Sequence, residues 1–133
     1  MQKVVFDTNV FISALITRGG NAEKAHLLAV ESRIELYTSI PILTEMAGKL
    51  RTKFLWEDNE IIAALKHIST VANVTTPGFK LNILKDGPEN RILECAKQSG
   101  AHLIVTGDRH LLDLKRFEGI RILRIAEFLE RIK

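Results

Sequence analysis

The sequence has one cysteine, three prolines, one tryptophan and one tyrosine among 133 residues, and each scarcity excludes something. A single thiol, Cys95, cannot build a disulfide framework, and no cysteine cluster exists for a structural zinc site. With Trp56 and Tyr37 each alone of its kind, there is no series of aromatic platforms on which unpaired bases could stack. No run approaches the ~20 apolar residues of a membrane span. Asp7 breaks the opening apolar stretch too early for a secretory signal, so the expected location is cytoplasmic, with no membrane partner. Charge of one sign is missing too. Nineteen Lys and Arg against sixteen Asp and Glu give +3, which is compatible with a nucleic-acid partner but too small to indicate one.

What is present is the balance of a globular domain, 46% hydrophobic and 26% charged, at a length that suits a single domain over residues 1–133. Apolar or β-branched runs at Lys3–Phe6, Ile34–Thr38, Leu103–Thr106 and Ile120–Leu123, with a weaker one at Val71–Thr75, alternate with helix-period segments. Asn21 is placed to cap a helix carrying Ala25, Leu28 and Ala29. Ser39 and Pro41 open one carrying Ile42, Leu43, Met46 and Leu50. Asp58 is placed to cap a third helix, with Ile61, Ile62, Leu65 and Ile68 on one side. Pro88 opens a fourth that Gly100 stops, and Ile125 to Ile132 form a terminal amphipathic helix. Thr75 to Pro88 reads as a long loop or hairpin. Runs such as Val4-Val5-Phe6 are apolar on both faces, as parallel strands covered on both sides are. The expected architecture is a three-layer α/β/α domain with a small, mainly parallel sheet.

Four acids fall where such a sheet binds ligands. Asp7 follows the first strand, Asp108 follows the Leu103–Thr106 strand across Gly107, and Glu45 and Glu89 lie early in helices. Singly, each has a structural role: Asp7 or Asp108 as a helix cap, Glu89 as a complement to a helix dipole, Glu45 as a solvated helix residue. Together at one edge they repel unless cations neutralise them, and Mg²⁺ or Mn²⁺ takes oxygen ligands of this kind. Such ions activate water and stabilise charge building on phosphorus, which points to phosphodiester hydrolysis with no covalent protein intermediate.

The segment Val4-Val5-Phe6-Asp7-Thr8-Asn9-Val10-Phe11, then Ser39-Ile40-Pro41 to Glu45, Pro88-Glu89-Asn90-Arg91 and Val105-Thr106-Gly107-Asp108-Arg109-His110 resemble, in order, the boxes of PIN-domain proteins. The resemblance is greatest to the small prokaryotic PIN proteins grouped as toxins of toxin–antitoxin systems, relatives of the VapC-type toxins. It implies a PIN-like α/β/α fold and a metal-dependent endoribonuclease. It places the metal-binding and catalytic acids at Asp7, Glu45, Glu89 and Asp108, with Mg²⁺ or Mn²⁺ as cofactor. RNA as substrate, an antitoxin partner and a homodimer follow from the same resemblance. One position departs from the pattern: the third acid is more often Asp, and here it is Glu89, with Asp86 three residues earlier as a substitute. Thr8, Asn9, Ser39 and Thr106 are placed to orient carboxylates or hold a water, Ser39 competing with a capping role. Arg91 and Arg109, with Lys115 and Arg116, are candidates to hold substrate phosphates around the acidic centre.

Two further readings stand beside this one. An aspartyl phosphotransfer enzyme would use Asp7 as nucleophile, but a dehalogenase-type phosphatase wants a second Asp where Asn9 stands. A degenerate PIN scaffold would bind RNA or protein without cutting. His26, His67, His102 and His110 are scattered without zinc-site spacing and read as isolated, with His110 bordering the cleft. Cys95 reads as a small buried hydrophobe. The apolar face Ile61–Ile68 is the expected dimer surface.

Overall fold

The computed structural model describes residues 1–132. The elements run β1 (Lys3–Phe6), α1 (Thr8–Ile16), α2 (Asn21–Val30), β2 (Glu35–Ser39), α3 (Ile40–Thr52), α4 (Asp58–Val71), β3 (Ala72–Thr75), α5 (Gly87–Ser99), β4 (Leu103–Val105), α6 (Arg109–Leu114), β5 (Arg116–Phe117), β6 (Ile120–Leu123) and α7 (Ile125–Ile132). The final position of the expected 1–133 domain, Lys133, lies outside the described residues.

One sheet holds all six strands in the order β3-β2-β1-β4-β6-β5. Every pairing is parallel except β5 with β6. The chain steps from β1 outward to β2 and β3, and α5 then carries it back across the sheet to β4. Because parallel crossovers are right-handed, the outward and return connections cover opposite faces. Accordingly α1 packs on α2 and α3, α4 on α3 and α7 on α2, while α5 lies along β1, β2 and β3. This is the expected three-layer arrangement. The two-residue β5 was not expected. It exists because Glu118 and Gly119 both take left-handed φ values, +48° and +84°, which closes a tight hairpin pairing Phe117 with Ile120.

Local signals placed most boundaries. Ser39 Oγ accepts from the Ile42 amide at 3.4 Å, and Gly100 ends α5 at φ +67°. Two expected caps shift by one residue. Gly20 rather than Asn21 precedes α2, and Glu57 rather than Asp58 caps α4 in a reciprocal box with Glu60, whose carboxylate accepts from the Glu57 amide at 2.9 Å. The expected dimer face is also corrected. Ile61, Ala64 and Ile68 are buried in the chain's own core because α4 packs on α3 and β3, and of the large apolar residues on that stretch Ile62 is exposed. Nor are the histidines isolated. Nε2 of His26 on α2 lies 2.8 Å from Nε2 of His67 on α4, and burial, with the neighbouring imidazole, lowers the His26 pKa. Helix packing brings the two rings together, which linear spacing could not show.

The core centres on three phenylalanines. Phe6 of β1 stacks on Phe11 of α1 at 5.6 Å between ring centroids and on Phe128 of α7 at 6.0 Å, edge to face. All three are fully or almost fully buried. The terminal helix is therefore held by one large ring under β1. Phe128→Ala is expected to lower stability by ~3–5 kcal/mol, read from urea unfolding; a loss under about 1 kcal/mol would show that α7 does not depend on this ring.

Candidate active site

The carboxyl ends of β1 and β4 are adjacent in the sheet, with Phe6 opposite Val105. Asp7 and Asp108 therefore emerge on the same edge. Asp7 occupies the position before α1 but does not cap it through its side chain. Its carboxylate instead accepts the Thr106 hydroxyl at 2.6 Å, and the Thr106 oxygen in turn accepts the Asp108 amide at 2.9 Å. Asp108 does cap α6, one oxygen accepting from the Leu111 amide at 3.0 Å. Glu45 arrives from α3, paired with Lys49 at 3.1 Å, and the same ammonium donates to Asn9 Oδ1 at 3.2 Å. Glu89 arrives from the first turn of α5, 7% exposed. One of its oxygens faces His110 Nδ1 at 3.2 Å; the other is buried with no protein partner. Asp7, Glu45, Glu89 and Asp108 line one cavity of about 340 Å³, joined by Asn9, Lys49 and Asp86.

The start of α5 is fixed by residues that never face this cavity. The Asn90 side chain accepts from the amides of Ile83 and Leu84 and donates to the Leu84 and Asp86 carbonyls. Glu94, buried, accepts from the Leu81 amide at 2.7 Å and from Arg91 at 2.7 Å. The irregular chain before α5 is thus pinned to the helix, and Glu89 is presented from a rigid base.

The expected residues divide accordingly. The four acids, Asn9 and Thr106 meet at the site. Ser39 spends its oxygen on capping α3, and Thr8 is buried with its hydroxyl unpartnered. Arg91 is committed to Glu94, and Arg109 stands exposed at the start of α6. Two contributors were not assigned a site role in the sequence, Lys49 and, beyond a bordering position, His110; Asp86, considered there only as a substitute for Glu89, lines the cavity beside it. The Glu45–Lys49 spacing of i and i+4 was a legible signal for the first. His110 depends on α5 and α6 meeting, which no local pattern reveals. The side-chain ligand atoms of Asp86, Glu89 and His110 all lie within 4.8 Å of one another.

Crowding sets the electrostatics. Burial pushes the Asp7 carboxyl up, the Thr106 hydroxyl opposes that, and the Asp108 and Glu45 charges add to it. Burial, followed by a hydrogen bond to Asp108 and its negative charge, pushes Glu89 up to about 7. Burial works against ionised Asp108, yet the proton offered by Glu89 and the Leu111 and His110 amides hold it below the usual carboxylate range. A raised Glu89 pKa and a lowered Asp108 pKa thus stand side by side, next to a Glu89 oxygen that is buried with no protein partner. Oxygen donors forced together in this way fit a hard divalent cation, which would replace the proton on Glu89.

That exchange fixes a pH dependence. Glu89 must lose its proton for the cation to bind, so Mn²⁺ affinity is expected to rise from pH 6 to pH 8, and Glu89→Gln to flatten the rise, followed by Mn²⁺ electron paramagnetic resonance. In the metal-free chain the folded value of Glu89, about 7, exceeds its ordinary 4.5. Its contribution to stability is complete below the ordinary value and is lost as pH rises through about 7.

Comparison with known proteins agrees with this geometry. A family model described as PIN domain matches residues 3–110. An uncharacterized protein of Methanocaldococcus jannaschii is 40% identical over 118 residues, covering 85% of this chain and 75% of that protein. The crystal structure of VapBC2 from Rickettsia felis bound to a DNA fragment from their promoter contains a chain with the same fold. It aligns at TM-score 0.65 and 16% identity, over 92% of this chain and 98% of that one. No helix among the described residues is long and apolar enough to cross a membrane. With four acids from separate elements meeting beyond β1 and β4, and the family match spanning all four, the chain belongs to the PIN-domain family.

Proposed function

We propose that this protein is a divalent-metal-dependent endoribonuclease that hydrolyses RNA phosphodiester bonds, and that it serves as the toxin of a toxin–antitoxin pair. The observation that carries the reading is the convergence of Asp7, Glu45, Glu89 and Asp108 on one open cavity, with a buried Glu89 oxygen that has no protein partner. Asp7, Glu89 and Asp108 would hold the cation, and Glu45 would complete the set. Bound there, Mg²⁺ or Mn²⁺ supplies a water of lowered pKa and positive charge against the scissile phosphate.

The chain's own groups do the rest. Thr106 holds the Asp7 carboxylate in one orientation through a short charge-assisted hydrogen bond. The α6 amides fix Asp108 in the same way. Lys49 on the cavity wall is the cation best placed to receive a flanking phosphate, once Glu45 turns to the metal. In the reaction, the water oxygen bonds to phosphorus as the bond to the leaving sugar oxygen breaks, and that oxygen takes up a proton. An aspartyl-phosphate route is disfavoured because the Asp7 oxygen facing Thr106 is engaged and Asn9 cannot serve as the second acid.

The partner assignments rest on the same reading: an antitoxin, a homodimer and a cytoplasmic setting. Support comes from the fold shared with a chain of VapBC2, itself described as a complex bound to promoter DNA. Apolar side chains left outside the core, among them Leu27 and Val30 on α2, are surface a protein partner could cover.

Asp7→Asn keeps shape and removes charge, so it is expected to cut RNA cleavage by more than about 100-fold with the fold intact by circular dichroism; Thr106→Val is expected to cost about 10–100-fold. Undiminished metal-dependent cleavage by Asp7→Asn would overturn the assignment. RNA binding indifferent to chelator, with no cleavage by the parent, would favour the non-cutting scaffold.

The extra methylene of Glu89 bears on metal choice, since Mg²⁺ demands near-octahedral geometry at ~2.0–2.1 Å. Activity is expected to be higher with Mn²⁺ than with Mg²⁺, and Glu89→Asp to raise the Mg²⁺ rate. Glu89→Gln weakens metal binding and Asp86→Asn changes little, in cleavage assays titrated with each metal. The reverse order for those two variants would move the third carboxylate to Asp86.

A further inference from the structure

Away from the acidic cavity, cations gather at the opposite end of the β4–β6 region. Arg116 of β5 and Arg121 of β6 stand directly opposite each other across the antiparallel pair. Like charges in that register destabilise a strand pair, so this juxtaposition runs against the stability of β5. Arg131 of α7 lines the same cavity of about 410 Å³, where the strands begin. Among the described residues, none of the three arginines has an ion pair or side-chain hydrogen bond. The acid at this cavity, Glu118, is engaged by Lys97 at 3.3 Å. His102 at its wall accepts the Lys3 amide on Nδ1 and is part of the scaffold.

Arg116 and Arg121 also line a second concavity of about 630 Å³ that continues along the edge to Lys115 and Arg124. Asp113 and Glu127 share that wall, so its positive character is diluted there. Arg124 directly follows β6 at the carboxyl end of the sheet, where the Thr106 amide donates to the Leu123 carbonyl at 3.0 Å. The cations therefore form a line from the amino ends of the strands to the edge that carries Asp7 and Asp108.

We propose that the β5–β6 edge is a phosphate track, in which Arg131, Arg116, Arg121 and Arg124 hold the backbone of the RNA strand beyond the scissile bond. The proposal rests on the ribonuclease reading and adds where the substrate runs. Unpaired guanidiniums in shallow concavities suit phosphodiester oxygens, which they grip through paired N–H donors without reading sequence. The track also gives a role to arginines that stand opposed across β5 and β6. Simple protection of an exposed edge from aggregation needs only one of them.

The test uses the full chain. A fluorescent single-stranded RNA of about 20 nucleotides is titrated with parent protein in chelator across a range of salt. It is then titrated with the triple variant Arg116→Gln, Arg121→Gln and Arg131→Gln, and with the matching triple Lys variant. None of these positions belongs to the acidic centre. The Gln variant is expected to bind at least about ten-fold more weakly and to reduce the slope of log affinity against log salt by about 2, at roughly 0.7 per phosphate contact. The Lys variant is expected to restore most of that slope, which a packing defect would not allow. With metal, the Gln variant should raise KM for the long RNA at unchanged kcat and leave a dinucleotide substrate unaffected.

Equal affinity and slope for parent and Gln variant, with the parent still cutting RNA, overturns the track alone. Aggregation of the Gln variant with unchanged RNA binding assigns the arginines to edge protection and overturns it as well. Charge-dependent binding to anionic phosphatidylserine vesicles with no RNA binding would overturn the track in favour of a lipid surface. A parent that neither binds nor cuts RNA overturns the ribonuclease reading itself.

Discussion

The hydrogen bond from Thr106 to Asp7, 2.6 Å long and buried between the ends of β1 and β4, is the contact on which the rest of the site depends. It joins residues 99 positions apart in the chain, and only the parallel pairing of β1 with β4 makes it possible. The same hydroxyl oxygen accepts the Asp108 amide, so one threonine ties the Asp7 carboxylate to the backbone of Asp108. Asp7 precedes α1 without capping it through a side-chain hydrogen bond, and it lines the cavity instead.

Around that contact the fold concentrates negative charge. Five of the sixteen acids, Asp7, Glu45, Asp86, Glu89 and Asp108, line one concavity, with Lys49 among the described residues on its wall. Concentration of this kind destabilises a folded protein unless protons or cations neutralise it; burial first, and Asp108 after it, push the Glu89 pKa up. Rigidity around the site keeps the acids from relaxing apart. Asn90 and Glu94, facing away from the cavity, tie the preceding chain to α5 through side-chain contacts with backbone groups. Neighbours of a site acid that look like part of a motif thus have a separate physical task. Asn90 and Arg91 hold a loop, whereas Glu89 reaches the cavity.

Charge is also partitioned over the surface. The net +3 is unremarkable as a total, yet five of the acids line one cleft while Arg116, Arg121 and Arg131 line a cavity at the other end of the strands.

Much of this was legible in the sequence. Doubly apolar runs such as Val4-Val5-Phe6 allow only covered parallel strands, and alternation with helix-period segments then leaves few topologies. Strand ends followed by Asp7 and Asp108 marked the edge where the four acids meet. Four matters were left to tertiary structure. The hairpin of β5 rests on left-handed φ values at Glu118 and Gly119, a turn with no strong residue signature. The Ile61–Ile68 face turned inward because α4 covers an edge strand, whereas periodicity shows that a face is apolar without showing what covers it. The pairing of His26 with His67 and the approach of His110 to Glu89 depend on how helices dock. Arg91 and Arg116 looked alike as cations near motifs, but one is spent on Glu94 and the other stands unpaired opposite Arg121. Local sequence determines which groups can ionise and which elements carry them; their partners, and so their pKa and their use, are set by contacts between residues far apart in the chain.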